Sequence, residues 1–67
     1  MRSFTPKEII RLLEQYGFIL DRISGSHYIY MLPDRSKRVI VPMHHKDLPT
    51  GTVLSILKQA GIDKNNL

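Results

Sequence analysis

The chain has 67 residues, 42% of them hydrophobic, no cysteine, and ten Lys and Arg against six Asp and Glu. That length fits one small domain, 1–67, able to bury only about 60% of its unfolded surface, which disfavours a deep enclosed active site. Without cysteine there is no disulfide framework, no thiolate nucleophile and no cysteine-based zinc spacing. Charges at Arg2, Lys7, Glu8, Arg11 and Glu14 interrupt any apolar run that would serve as a signal peptide or membrane span, so a cytoplasmic protein that does not engage a membrane is expected.

Thr5-Pro6-Lys7-Glu8 predicts a helix start, with Thr5 as N-cap, Pro6 at the first helical position and Glu8 closing a capping box. Phe4 and Ile9 supply the flanking hydrophobic staple. Ile9, Leu12, Leu13 and Tyr16 then recur at helical spacing, and Gly17 offers the left-handed conformation that ends a helix. The first helix is expected over about 6–16.

Three runs rich in Ile, Val and Tyr follow, about 18–23, 27–32 and 37–41, separated by Ser24-Gly25 and by Pro33-Asp34-Arg35-Ser36. Connections this short force antiparallel neighbours. A second helix is expected over about 50–60. Its end, Leu57-Lys58-Gln59-Ala60-Gly61-Ile62, repeats the terminator of the first, whereas Asp47, Leu48-Pro49 and Thr50 compete for its start. The expected fold class is α+β, a three-stranded antiparallel sheet with two helices in the order αβββα, the helices covering one sheet face and leaving the other open.

The net charge of +4 lies wholly within 22–46, where Arg22, Arg35, Lys37, Arg38 and Lys46 face one anion, Asp34, while the flanks balance at five against five. All three histidines, His27, His44 and His45, fall in the same segment. A basic face with titratable groups points to a phosphate-rich partner; the alternative is a solvated sheet face with incidental cations.

Gly25-Ser26-His27 places a histidine at the entry to the second strand, beside a turn where it can be exposed; the alternative is a satisfied structural histidine. Ser26 and His27 make a poor nucleophile pair, because adjacent strand residues point to opposite faces. His44 and His45 end the third strand's exit. None of the helical zinc patterns is present and an adjacent pair rarely directs both rings to one ion, so neither metal nor cofactor is expected. A phosphate-holding role for His44 or Lys46, just ahead of a helix N-terminus, is the better expectation. Tyr28 and Tyr30 share one strand face and serve either as base-stacking platforms or as core.

Taken together, the capped first helix ending at Gly17-Phe18, then Arg22, Gly25-Ser26-His27-Tyr28-Ile29-Tyr30, Val41-Pro42-Met43-His44, Leu48, Gly51-Thr52 and Ile56-Leu57-Lys58-Gln59-Ala60-Gly61-Ile62 resemble the HicA toxin family over about 3–62. The resemblance implies a fold similar to the double-stranded RNA-binding domain, an mRNA interferase activity, and a HicB-like antitoxin that binds and blocks the toxin. Carried over position by position, it puts the catalytic histidine on His27, with Gly25 and Ser26 in the turn presenting it.

RNA carries its own nucleophile, since the 2′-OH attacks the adjacent phosphorus once a base removes its proton, and this needs no metal. An imidazole is suited to that transfer near neutral pH, and Lys and Arg stabilise charge developing on phosphoryl oxygens. The expected machinery is His27 as acid or base, with Ser26, Arg35, Lys37, Arg38, His44 and Lys46 binding RNA. The rival expectations are a non-catalytic RNA-binding module of the same fold and a protein-interaction domain whose basic face meets an acidic partner.

Overall fold

In the computed structural model, which describes residues 3–43 and 46–66, the elements run α1 (Pro6–Gln15), β1 (Ile19–Ser24), β2 (His27–Met31), β3 (Arg38–Pro42) and α2 (Thr50–Ala60), with a short 3-10 turn at Lys64–Asn66. This is an α+β fold with the predicted order.

Local chemistry sets most of these boundaries. At the start of α1 the Glu8 N–H donates to Thr5 Oγ1 (3.2 Å) and the Thr5 N–H donates to Glu8 Oε1 (2.9 Å), so the capping box satisfies two otherwise orphaned amides. Phe4 and Ile9 are both buried. At its end the Gly17 N–H reaches the Glu14 carbonyl and the Phe18 N–H reaches the Leu13 carbonyl, each at 3.0 Å, with Gly17 at φ 90°. The end of α2 repeats this arrangement, Gly61 to Lys58 (3.2 Å) and Ile62 to Leu57 (2.9 Å). The start of α2 is different: Pro49 precedes it and no side chain caps it, so neither Asp47 nor Thr50 acts as predicted. A bridge between Leu48 and Phe4, both buried, anchors the segment instead, the Leu48 N–H donating to the Phe4 carbonyl at 2.8 Å.

The strands form one antiparallel sheet in the order β1-β2-β3. Ser24 pairs with His27 across a two-residue turn in which Gly25 has φ 58° and Ser26 does not share a positive φ, the pattern of a type II′ hairpin. Directly paired residues share a sheet face. Leu20–Tyr30–Val39 and Ile23–Tyr28–Val41 face the helices; Ile19–Met31–Arg38, Arg22–Ile29–Ile40 and Ser24–His27–Pro42 face away.

Tyr30, Val39 and Val41 pack with Ile9, Leu13, Val53, Ile56 and Leu57 into one core, with Tyr28 partly buried against it. Each fully buried aliphatic side chain contributes about 1.5–3 kcal/mol. Tyr28 and Tyr30 are therefore core residues, not stacking platforms. Both helices pack against β3, which leaves Leu20 and Ile23 on edge strand β1 exposed although they lie on the helix side. The slab-like extents of 30 × 29 × 16 Å match two layers, helices over sheet, with the second sheet face uncovered.

Strand β1 is not regular. Leu20 pairs with Tyr30 and Arg22 with the next residue, Ile29, so Asp21 is an extra residue, a β-bulge. In an unbroken strand Leu20 and Arg22 would lie on one face. The bulge instead sends Leu20 and Ile23 to the helix side and keeps Arg22 on the open face.

Candidate functional site

The open face carries His27 at one end. It is exposed, directly opposite Ser24 and Pro42, and next to the turn that Gly25 makes possible. The Met43 N–H donates to the Ser26 carbonyl at 2.7 Å, tying the exit of β3 to that turn, so the hairpin end is braced from the far edge of the sheet. Ser26 contributes backbone to this brace and is itself exposed. His44 lies outside the described residues. Lys46 is exposed in the bend before α2.

Arg35, Lys37 and Arg38 gather at the other end of the sheet, around an open hollow of about 430 Å³ that they line with Asp21 and Met31. His27 and Met31 are four residues apart on β2, so this cluster begins about 13 Å from the imidazole. The sequence-predicted residues thus form two groups on one molecule, not one site. Arg38 pairs with Asp21 at 3.0 Å. With the guanidinium side chain more than half exposed, such a pair is worth about 0–1 kcal/mol. Lys37 also crosses the end of α2: its Cε would lie 2.9 Å from a Cβ built on Gly61, which sets its ammonium beside the carbonyl end of the helix dipole.

Arg35 occupies the tip of the β2–β3 turn at φ 63°, the one non-glycine residue with positive φ among those described. The turn is held by the Arg35 N–H donating to the Leu32 carbonyl (2.8 Å) and the Ser36 N–H donating to Asp34 Oδ1 (2.9 Å). Those Ser36 hydrogen bonds hold the Asp34 carboxyl below the usual carboxylate range.

Burial, reinforced by Glu14 and by Tyr28, pushes the Tyr30 hydroxyl above the ordinary phenol range, so it stays neutral near physiological pH. It also faces the core. Among the described residues no three His, Cys, Asp or Glu side chains cluster as metal ligands, and no helix is long and apolar enough to cross a membrane.

Sequence reasoning did not single out Asp21, which pairs with Arg38 and lines the hollow, or the bulge that puts Arg22 on the open face. The signal was present: Leu20 and Ile23, three apart and flanking Asp21-Arg22, cannot share a face of an unbroken strand.

Fold and surface together define a small two-layer α+β protein with a basic, imidazole-bearing sheet face that the described residues leave uncovered. Residues 6–62 match the family described as HicA toxin of bacterial toxin–antitoxin. The chain belongs to the HicA toxin family, which makes it the toxin of a toxin–antitoxin system with an antitoxin as counterpart. No curated protein sequence matches it.

Proposed function

We propose that this toxin is a metal-independent endoribonuclease that cuts mRNA in the cytoplasm, acts as one domain over 1–67, and uses His27 as its proton-transfer group. The observation that carries the reading is an exposed imidazole at the hairpin end of an open sheet face, with cations on that face and its rim. His27 takes the proton of the ribose 2′-OH, the 2′-oxygen bonds to phosphorus, and the bond from phosphorus to the 5′-oxygen breaks. A water gives a proton to the departing 5′-oxygen, and the hydroxide left behind takes the proton that His27 accepted, which restores the neutral imidazole. The products are a 2′,3′-cyclic phosphate and a 5′-hydroxyl.

Arg35, Arg38, Lys37 and Lys46 hold flanking phosphates, with Ser26 and His44 as further RNA contacts. Both tyrosines of β2 face the core, so the Arg and Lys side chains grip RNA chiefly through its backbone. A HicB-like antitoxin neutralises the toxin by covering His27 and the basic rim, because denying RNA access to the imidazole suffices.

The test is inducible expression in bacteria of the native chain and of His27→Ala, with growth and transcript integrity compared, followed by cleavage assays on purified protein. A positioned proton-transfer group is worth about 10²–10⁴ in rate. The variant should be non-toxic and lose cleavage by that factor while still binding RNA and antitoxin. Native cleavage by a folded His27→Ala protein overturns the mechanism, and RNA binding without cleavage by the native chain favours the non-catalytic module.

A further inference from the structure

The sheet register gives His27 a particular set of neighbours on the open face. Ser24 and Pro42 lie directly opposite, and Arg22 and Ile40 are the diagonal positions two residues along the flanking strands. Diagonal pairs are separated by about 7–8 Å, within reach of long side chains. Of these neighbours only Arg22 is charged. It is exposed and forms no ion pair among the described residues, since the adjacent carboxylate, Asp21, is engaged by Arg38. Ile29 and Ile40, which share its row, offer no competing acceptor.

Arg22 holds this position because of the bulge at Asp21. A regular β1 continuing from Leu20 would turn Arg22 toward the helix side, away from His27. Bulges beside working sites re-aim side chains in this way.

We infer that Arg22 is a catalytic residue of the ribonuclease reaction: its guanidinium donates to the non-bridging oxygens of the phosphate under attack, next to His27. This rests on the ribonuclease reading above. As the 2′-oxygen adds to phosphorus, negative charge grows on those oxygens, and a planar guanidinium meets two of them at once. The interaction is strongest when five oxygens surround phosphorus, so it lowers the barrier more than it tightens substrate binding. Proton flow is unchanged: His27 takes the 2′-proton, and Arg22 stays cationic throughout. Arg35 and Arg38, about two rows away, contribute to substrate affinity instead.

The experiment uses a short RNA that the native chain cuts, with rates measured in single turnover at saturating protein, and affinity measured separately on the same RNA carrying a 2′-deoxy nucleotide at the cut. Arg22→Gln keeps the side-chain stem and removes the charge; it should lower the saturating rate about 10²-fold, the usual cost of losing one such donor. Arg22→Lys should recover part of that loss. Arg11→Gln, on the exposed surface of α1, removes the same unit of charge and should leave the saturating rate unchanged. A native saturating rate in Arg22→Gln, even with weaker affinity, overturns the inference while leaving the His27 mechanism intact. An equal loss in Arg11→Gln also overturns it, by showing that net charge is responsible. If His27→Ala cuts this RNA as fast as the native chain, the His27 mechanism on which the inference rests fails, whatever Arg22 does; if the native chain cuts no RNA, the ribonuclease reading itself fails.

Discussion

Arg35→Gly separates stability from RNA binding at a single position. Arg35 sits at φ 63°, a left-handed conformation that costs an L residue about 1–2 kcal/mol and glycine almost nothing. Against that gain stands the extra freedom glycine gives the unfolded chain, about 0.5–1 kcal/mol. The difference favours the variant by about 0–1.5 kcal/mol, or roughly 6–12 °C in thermal midpoint at the upper limit for a domain of this size. Removing the cation from the rim of the hollow has the opposite sign for binding. If Arg35 contacts one phosphate of single-stranded RNA, its loss should flatten the plot of log affinity against log salt by about 0.7 and weaken binding at low salt. Thermal unfolding followed by circular dichroism and RNA titration at several salt concentrations give both readings on one protein. A variant less stable than the native chain would refute the strain argument, and an unchanged salt slope would remove Arg35 from the interface.

Two further expectations follow from the turns and caps. Gly61→Ala should destabilise by about 1–2 kcal/mol, because Gly61 has φ 72° at the end of α2 and an added Cβ would also displace the Lys37 side chain, so urea unfolding should show a lower midpoint with an unchanged slope. An unchanged midpoint would mean that the helix ends without this left-handed residue. For Asp34, hydrogen bonds from Ser36 lower the folded-state pKa, so its charged form contributes stability above the ordinary carboxylate pKa of about 3.9, and that contribution is lost as pH falls through the lower folded value. Asp34→Asn keeps an acceptor oxygen without a charge; its thermal midpoint should trail the native one near neutrality and converge with it in acid, and a pH-independent gap would refute the assignment.

The sequence alone determined those features whose causes lie within five or six residues of each other. The capping box of Thr5 and Glu8 and the paired helix ends at Gly17 and Gly61 each close their hydrogen bonds locally, so their residues announce them; the hairpin turn falls on Gly25-Ser26, one residue later than the expected Ser24-Gly25, because Ser24 pairs with His27. Element order followed, since connections that short admit only antiparallel neighbours. The range of α2, expected at about 50–60, matches Thr50–Ala60, but what anchors its start was not legible, because Leu48 is fixed by Phe4, more than forty residues earlier in the chain.

For the site, the sequence pointed to His27, and only the tertiary structure decided its surroundings. Alternation along β2 separates Tyr28 and Tyr30 from His27, Ile29 and Met31 without saying which set the helices cover. That depends on whether Val39 and Val41 of β3 complete the apolar row, a matter of pairing between strands. The face of Arg22 depends likewise on one extra residue in β1, and the pairing of Asp21 with Arg38 joins positions seventeen apart. Local pattern fixes what each segment becomes. Which side chains meet on the open face is set by cross-strand register, where a shift of one residue exchanges the two faces of a strand.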